Sequence, residues 1–126
     1  MDKRYKGFLS YFTGHLCEQD ACRFLTKKGY RLIAKNFRPA RGMGANELDL
    51  IMLDKKTLVF IEVKKRMDLQ TAAFVFDERL QKRLYKGAEV FLSQNPQYAH
   101  YDCRFDVVLL DENKNMQHLQ NVLEEI

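Results

Sequence analysis

The chain has no tryptophan, only two prolines and six glycines, and three cysteines among 126 residues. So little Pro and Gly excludes a collagen-like or low-complexity chain, and 46% hydrophobic residues is too many for a disordered one. Apolar runs stay within about ten residues, short of the roughly 20 a membrane span needs. The first residues, Met1 to Leu9, carry early charges but no apolar core, so no signal peptide is expected. The cysteines are odd in number, and Cys17 and Cys22 lie five apart, a spacing that does not share a helix face. Neither a disulfide framework nor a zinc site fits them, and reduced thiols point to the cytoplasm. His15, His100 and His118 form no HExxH-like spacing, which argues against a zinc hydrolase.

A net charge of +4 is present, and it is unevenly placed. Up to Arg66 there are 15 Lys/Arg against 7 Asp/Glu; from Met67 onward there are 6 against 10. The basic first half is compatible with an anionic partner such as nucleic acid, and no membrane association is expected. The length fits one domain over residues 1–126.

The residue pattern gives a mixed α/β order. A helix is expected from near Thr13 or Gly14, with Cys17, Ala21, Phe24, Leu25 and Lys28 on one stripe and Gly29 just past its end. Tyr30–Ala34 reads as an edge strand, and Arg38–Asn46 as a loop rich in turn residues. Two strand-like runs follow, Glu47–Leu53 and Thr57–Lys64, joined by a short polar connector that predicts an antiparallel hairpin. A second helix is expected from near Asp77, with Leu80, Leu84, Ala88, Phe91 and Leu92 on its apolar face and Asn95-Pro96 ending it. Arg104–Leu110 reads as a buried strand. Met116, Leu119, Leu123 and Ile126 predict a short terminal helix.

Two charged residues occupy positions where strands usually carry apolar side chains. Asp49 lies within Leu48-Asp49-Leu50-Ile51, and Glu62 within Phe60-Ile61-Glu62-Val63. Burying an unpaired carboxylate costs several kcal/mol or neutralises the group, so such residues are exposed, paired or bound to a cation. Glu62 and Lys64 are two apart and project from one strand face. If Lys55-Lys56 form a two-residue turn, Asp54 faces Thr57 and Asp49 falls opposite Glu62. Two carboxylates at about 5 Å across a sheet repel unless a divalent metal lies between them. Asp49, Glu62 and Lys64 on one side of a hairpin are the minimum for binding Mg²⁺ and orienting a water on a phosphodiester. The same residues also fit a solvated face on which Asp49 pairs with a lysine.

Asp49…Glu62-Val63-Lys64 resembles the active-site signature of the PD-(D/E)xK nucleases. The chain looks most like the YraN-like family of small bacterial proteins, which is similar to archaeal Holliday-junction resolvases. The likeness runs from about Gly14 to Leu110. It includes Gly14–Ala21, Lys28-Gly29-Tyr30, Asn36-Phe37, Glu47–Ile51, Val59–Arg66, Lys82 with Ala88 and Leu92, and Arg104–Val108. It departs from the usual pattern at Asn46, where a glycine is common, at Lys65, where a threonine is common, and in a longer loop before Asn46. The segment Leu69–Phe76 also lacks a usual glycine.

The resemblance implies an α/β restriction-endonuclease-like domain with a central hairpin in a mixed sheet flanked by helices. It implies a nuclease or nuclease-like protein using Mg²⁺ or Mn²⁺, acting on DNA rather than RNA, with branched structures among its substrates and a homodimer as its assembly. Asp49, Glu62, the Val63 carbonyl and Glu18 would hold the metal. Lys64 would orient the attacking water, and Arg41, Lys65, Arg66 and Lys82 would contact phosphates. Glu47, two before Asp49, shares its strand face and has either a secondary role or none. The alternatives are a non-catalytic nucleic-acid-binding module with the same fold, and a scaffold whose Asp49, Glu62 and Lys64 form an internal ion-pair network.

Overall fold

The computed structural model describes residues 17–42, 44–45, 47–65, 78–111 and 113–123. Residues 17–27 are helical (α1), followed by strands β1 (Arg31–Phe37), β2 (Leu48–Asp54) and β3 (Thr57–Lys65). Helix α2 (Glu78–Gln94), a 3-10 turn (Pro96–Tyr98), β4 (Asp102–Leu110) and β5 (Met116–Leu119) complete the order. The five strands form one sheet in sequence order, with β3 and β4 parallel and the other neighbours antiparallel. The expected Asp77 cap, Gly14 to Leu16, Arg66 and Leu69–Phe76 lie outside the described residues.

Helices cover both faces of the sheet, which explains why the central strands are apolar almost throughout. On one face Ala21, Cys22 and Leu25 of α1 pack with Leu50, Met52, Val59, Ile61 and Val108. On the other, Leu84, Ala88 and Phe91 of α2 pack with Ile51, Leu53, Leu58, Phe60 and Phe105. Alternation along β2 and β3 sorts their residues between the two layers. The result is a mixed α/β domain of three layers.

Local signals explain the main boundaries. Gly29, with φ of 100°, ends α1: its N–H donates to Thr26 and that of Tyr30 donates to Leu25, closing a Schellman motif. The hairpin turns at Lys55-Lys56, with Lys55 left-handed at φ 56° and Asp54 paired with Thr57 as expected. Asn95 Nδ2 donates to the Phe91 carbonyl at the end of α2, and Pro96 starts the 3-10 turn. The three cysteines are free.

The expected terminal helix is corrected: Met116–Leu119 is a strand paired antiparallel with β4, Val108 against His118. The turn before it decides the outcome. Asp111 accepts from the N–H groups of Asn113 and Asn115, and left-handed Lys114 sends the chain back along β4. Met116 and Leu119 then bury on opposite faces, the first in the α1 layer and the second beside Val107 and Leu109. An i, i+3 pair of apolar residues fits either periodicity over so short a run, and Ile126 lies outside the described residues.

Candidate active site

Where β1 and β2 meet α1, strand alternation changes sense. Lys35, paired with Leu50, lies against α1, whereas Phe37, paired with Leu48, packs edge-on against Phe91 of α2 at 5.3 Å. Between them Asn36 takes a left-handed conformation at φ 52°. Asparagine tolerates that region better than most residues, and the local twist lets neighbours two apart face opposite layers. The Asn36 amide, with its nitrogen toward the carboxylates, donates to Glu47 Oε1 at 2.9 Å and to Glu18 Oε2 at 2.7 Å.

Three carboxylates converge there, and a fourth, Glu62, neighbours one of them, Asp49. Oxygens of Glu18, Glu47 and Asp49 lie within 4.8 Å of one another. Glu18 comes from the sheet-facing side of α1, sharing the stripe of Ala21, Cys22 and Leu25. Glu62 is on β3 beyond the last paired residues of the hairpin, Leu50 and Ile61, and its carboxyl neighbours that of Asp49. The Val63 N–H donates to Asp49 Oδ2 at 2.8 Å. Lys64 Nζ stands 3.0 Å from Glu62 Oε1, so the two share a face as their spacing requires. Arg38 Nε reaches Glu47 Oε2 at 3.3 Å from the solvent side.

The cluster has too few cations for its acids, which raises their carboxyls above the ordinary range. Burial, then Asp49 and Glu47, push the Glu18 carboxyl up to about 7. Burial and the neighbouring Asp49 push Glu62 up to about 7 against the opposing pull of Lys64. Asp49 is also raised, chiefly by burial, with the Val63 N–H pulling the other way. Below neutral pH, protons on Glu18 and Glu62 let both hydrogen-bond to Asp49. Protons thus do what a cation would do at higher pH. Hard carboxylate oxygens in one niche are a donor set suited to Mg²⁺ or Mn²⁺.

Asp49 is thus the meeting point: Glu18 and Glu47 approach it from one side, and Glu62, Lys64 and the Val63 N–H belong to its other neighbours on β3. Two participants were underrated from sequence. Glu47 belongs to the cluster, as its two-residue spacing from Asp49 allowed. Asn36 had no role beyond its place in the family pattern; its signal was an asparagine within a strand. The cations expected on phosphates are more scattered. Arg41 and Lys65 are exposed, in the β1–β2 loop and at the end of β3. Lys82 is on α2, 3.5 Å from Glu78, and Arg66 lies outside the described residues.

Residues 17–110 match the uncharacterised protein family UPF0102. The chain belongs to that family. A UPF0102 protein of Rhodopseudomonas palustris is 37% identical over 110 residues, covering 87% of this chain and 81% of its own. One from Psychrobacter cryohalolentis is 41% identical, with 81% of this chain and 63% of the relative covered. A third, from Francisella tularensis, is 38% identical over 86% of this chain and 91% of its own. These names state no activity. The UPF0102 match spans α1 to β4 and so contains Glu18, Asn36, Glu47, Asp49, Glu62 and Lys64. Among the described residues no helix is long and apolar enough to cross a membrane.

Proposed function

We propose that this UPF0102 protein is a divalent-metal-dependent nuclease of the PD-(D/E)xK type, with Asp49, Glu62 and Lys64 as its catalytic residues. The observation that carries the reading is the placing of Asp49 between Glu18 and Glu47 on one side and the Glu62–Lys64 pair on the other, with two of these acids held up near neutrality. A cluster this short of cations is costly for the fold, and catalysis gives it a use. The donor set fits Mg²⁺ or Mn²⁺, held by Asp49, Glu62, the Val63 carbonyl and Glu18, with Glu47 beside them. Such an ion supplies a more acidic water and offsets phosphate charge.

The chain's own groups do the rest. The Val63 N–H fixes Asp49 by its Oδ2. Glu62 holds Lys64 by the ammonium, which is then placed to orient a water and to face charge developing on the phosphate. Asn36 aligns Glu18 from α1 and Glu47 from the residue before β2 at once. Basic surface around the niche would receive DNA, branched forms included, and a two-fold dimer would match two symmetric scissile phosphates. A second reading, a binding module without turnover, draws on the 3.0 Å pairing of Lys64 with Glu62, which satisfies both groups without an ion.

Incubating the pure protein with single-stranded, duplex and branched DNA in Mg²⁺ or Mn²⁺ separates the two. The nuclease reading expects cleavage that Asp49→Ala, Glu62→Ala and Lys64→Ala each lower by about a hundredfold or more. Salt-sensitive binding without cleavage in either metal would favour the binding module. Cleavage that persists in Asp49→Ala and Lys64→Ala would sink the proposed site.

A further inference from the structure

Helix α1 turns Glu18 toward the carboxylate niche and presents a different chemistry to solvent. Gln19, Arg23, Thr26 and Lys27 are all exposed, and their spacing of i, i+4, i+7 and i+8 puts them on one face. Between this face and β1 is a hollow of about 570 Å³ to which Arg23, Lys27 and Lys35 each contribute. No carboxylate lines it among the described residues. On the other flank of α1 a second hollow, about 420 Å³, is lined by Arg23, Lys27 and Lys114, with Asp20 the one acid. Asp20 reaches Arg23 only at 4.0 Å, with the arginine 75% exposed, so it offsets little of that charge.

The position of this ridge is as telling as its charge. Gln19 follows Glu18 directly, and Lys35 precedes Asn36, whose amide bonds Glu18 and Glu47. The first hollow therefore opens beside the carboxylate niche. Arg23 and Lys27 are about 6 Å apart along the helix axis and serve both hollows. Gln19 and Thr26 set hydrogen-bonding groups between the cations, and the apolar residues of the second hollow, Phe24 and Met116, are half-buried rather than free to enter a lipid layer.

We infer that the exposed ridge of α1, with Lys35 and Lys114 on its flanks, is a track for the sugar–phosphate backbone of nucleic acid running on from the carboxylate niche. Arg23, Lys27, Lys35 and Lys114 each neutralise a phosphate, and they position the strand without reading its sequence. The track rests on the nucleic-acid reading above but not on turnover. Arg41, Lys65 and Lys82 are not part of it.

Salt titration of binding tests it, with the full chain in EDTA and labelled single-stranded and duplex oligonucleotides of random sequence. Each lost phosphate contact lowers the slope of log affinity against log salt by about 0.7 on single strands and about 0.9 on duplex. The variant Arg23→Gln/Lys27→Gln/Lys35→Gln is expected to lose about 2–3 units of slope and more than tenfold in affinity at low salt. The control Lys55→Gln/Lys56→Gln/Lys86→Gln removes equal charge at the hairpin turn and on α2, and should keep its slope within about one unit. All six positions are exposed, so thermal unfolding should be unchanged in both variants.

An equal loss in the control would overturn the track, as would a wild-type chain that binds anionic phosphatidylglycerol vesicles but not oligonucleotides. The two proposals fail in different ways. A chain that cleaves nothing yet shows the slope difference keeps the track and loses the nuclease. A chain that cleaves DNA while the triple variant binds like wild type keeps the nuclease and loses the track.

Discussion

Asp49 on β2 and Asp106 on β4 both put a carboxylate into the buried part of the same sheet, and their surroundings are opposite. The Asp106 side chain is fully buried and fully matched. Arg104 grips both its oxygens, Nε to Oδ1 at 2.9 Å and Nη2 to Oδ2 at 3.1 Å. His118 Nε2 meets Oδ2 at 2.8 Å, and the Asn121 N–H donates to Oδ1 at 3.0 Å. Lys28 Nζ donates to His118 Nδ1, which leaves the imidazole proton on Nε2 to face Asp106. Arg104 goes on to Asp54 and to the Tyr30 hydroxyl, tying β4 to the hairpin turn and to the end of α1. Asp49 instead has one backbone N–H and three other acids around it. A buried carboxylate that serves the fold is saturated with donors, as Asp106 is; Asp49 has other carboxylates in the place of those donors.

The largest test of this contrast is on stability. Asp106→Ala leaves the buried His118 Nε2 and the Asn121 N–H without their acceptor and Arg104 with Asp54 as its one carboxylate, and should cost about 3–5 kcal/mol, visible as a lower urea midpoint. Asp49→Asn removes charge from a crowded cluster, so the metal-free protein should stay within about 1 kcal/mol of wild type or gain. Equal large losses in both variants would show Asp49 to be as structural as Asp106.

A smaller effect follows from pH. Glu18 and Glu62 have carboxyls near 7 in the folded protein against an ordinary 4.5. Between those values the folded state holds protons that the unfolded state has released. Stability should therefore fall as pH rises: the contribution is complete below about 4.5 and gone above about 7. For Glu62, the more buried of the two, the loss is on the order of 1–2 kcal/mol, several degrees in Tm. Saturating Mn²⁺ should abolish the slope by ionising the cluster, and Glu62→Gln should flatten it without metal. A metal-free Tm that rises over that range would refute the proton-held cluster.

Much of the fold was legible because it rests on short-range rules. The two-residue Lys55-Lys56 turn sets the hairpin register from Asp54–Thr57 to Leu50–Ile61, one step short of the expected Asp49–Glu62 pair. Gly29 at the end of α1 and Asn95-Pro96 after α2 are backbone requirements that composition reveals. Strand β5 was misread because four residues carry too little periodicity, and its partner on β4 is what fixes it. At the site, Glu18 was readable in principle, as an acid in the same stripe as Ala21 and Leu25. The switch of face at Asn36 was not, because one backbone dihedral at the end of a strand leaves no mark on hydropathy.

That switch allows the finest test, since each cluster has one left-handed asparagine: Asn36 at φ 52° and Asn121 at φ 54°. They contribute differently. Asn121 gives Asp106 its backbone N–H, which glycine would also supply, so Asn121→Gly should change stability by no more than about 0.5 kcal/mol. Asn36 gives its side chain to Glu18 and Glu47, so Asn36→Gly keeps the backbone easy but deletes both donors. Loss of a donor that favours the ionised form should raise the Glu18 carboxyl further above 7, moving the fall in stability to higher pH. Asn36→Ala loses the donors and also strains the left-handed backbone by about 1 kcal/mol, so it should be the less stable of the two Asn36 variants. If Asn36→Gly leaves the pH profile where it was, the amide does not hold the two acids, and their proximity comes from the strands alone.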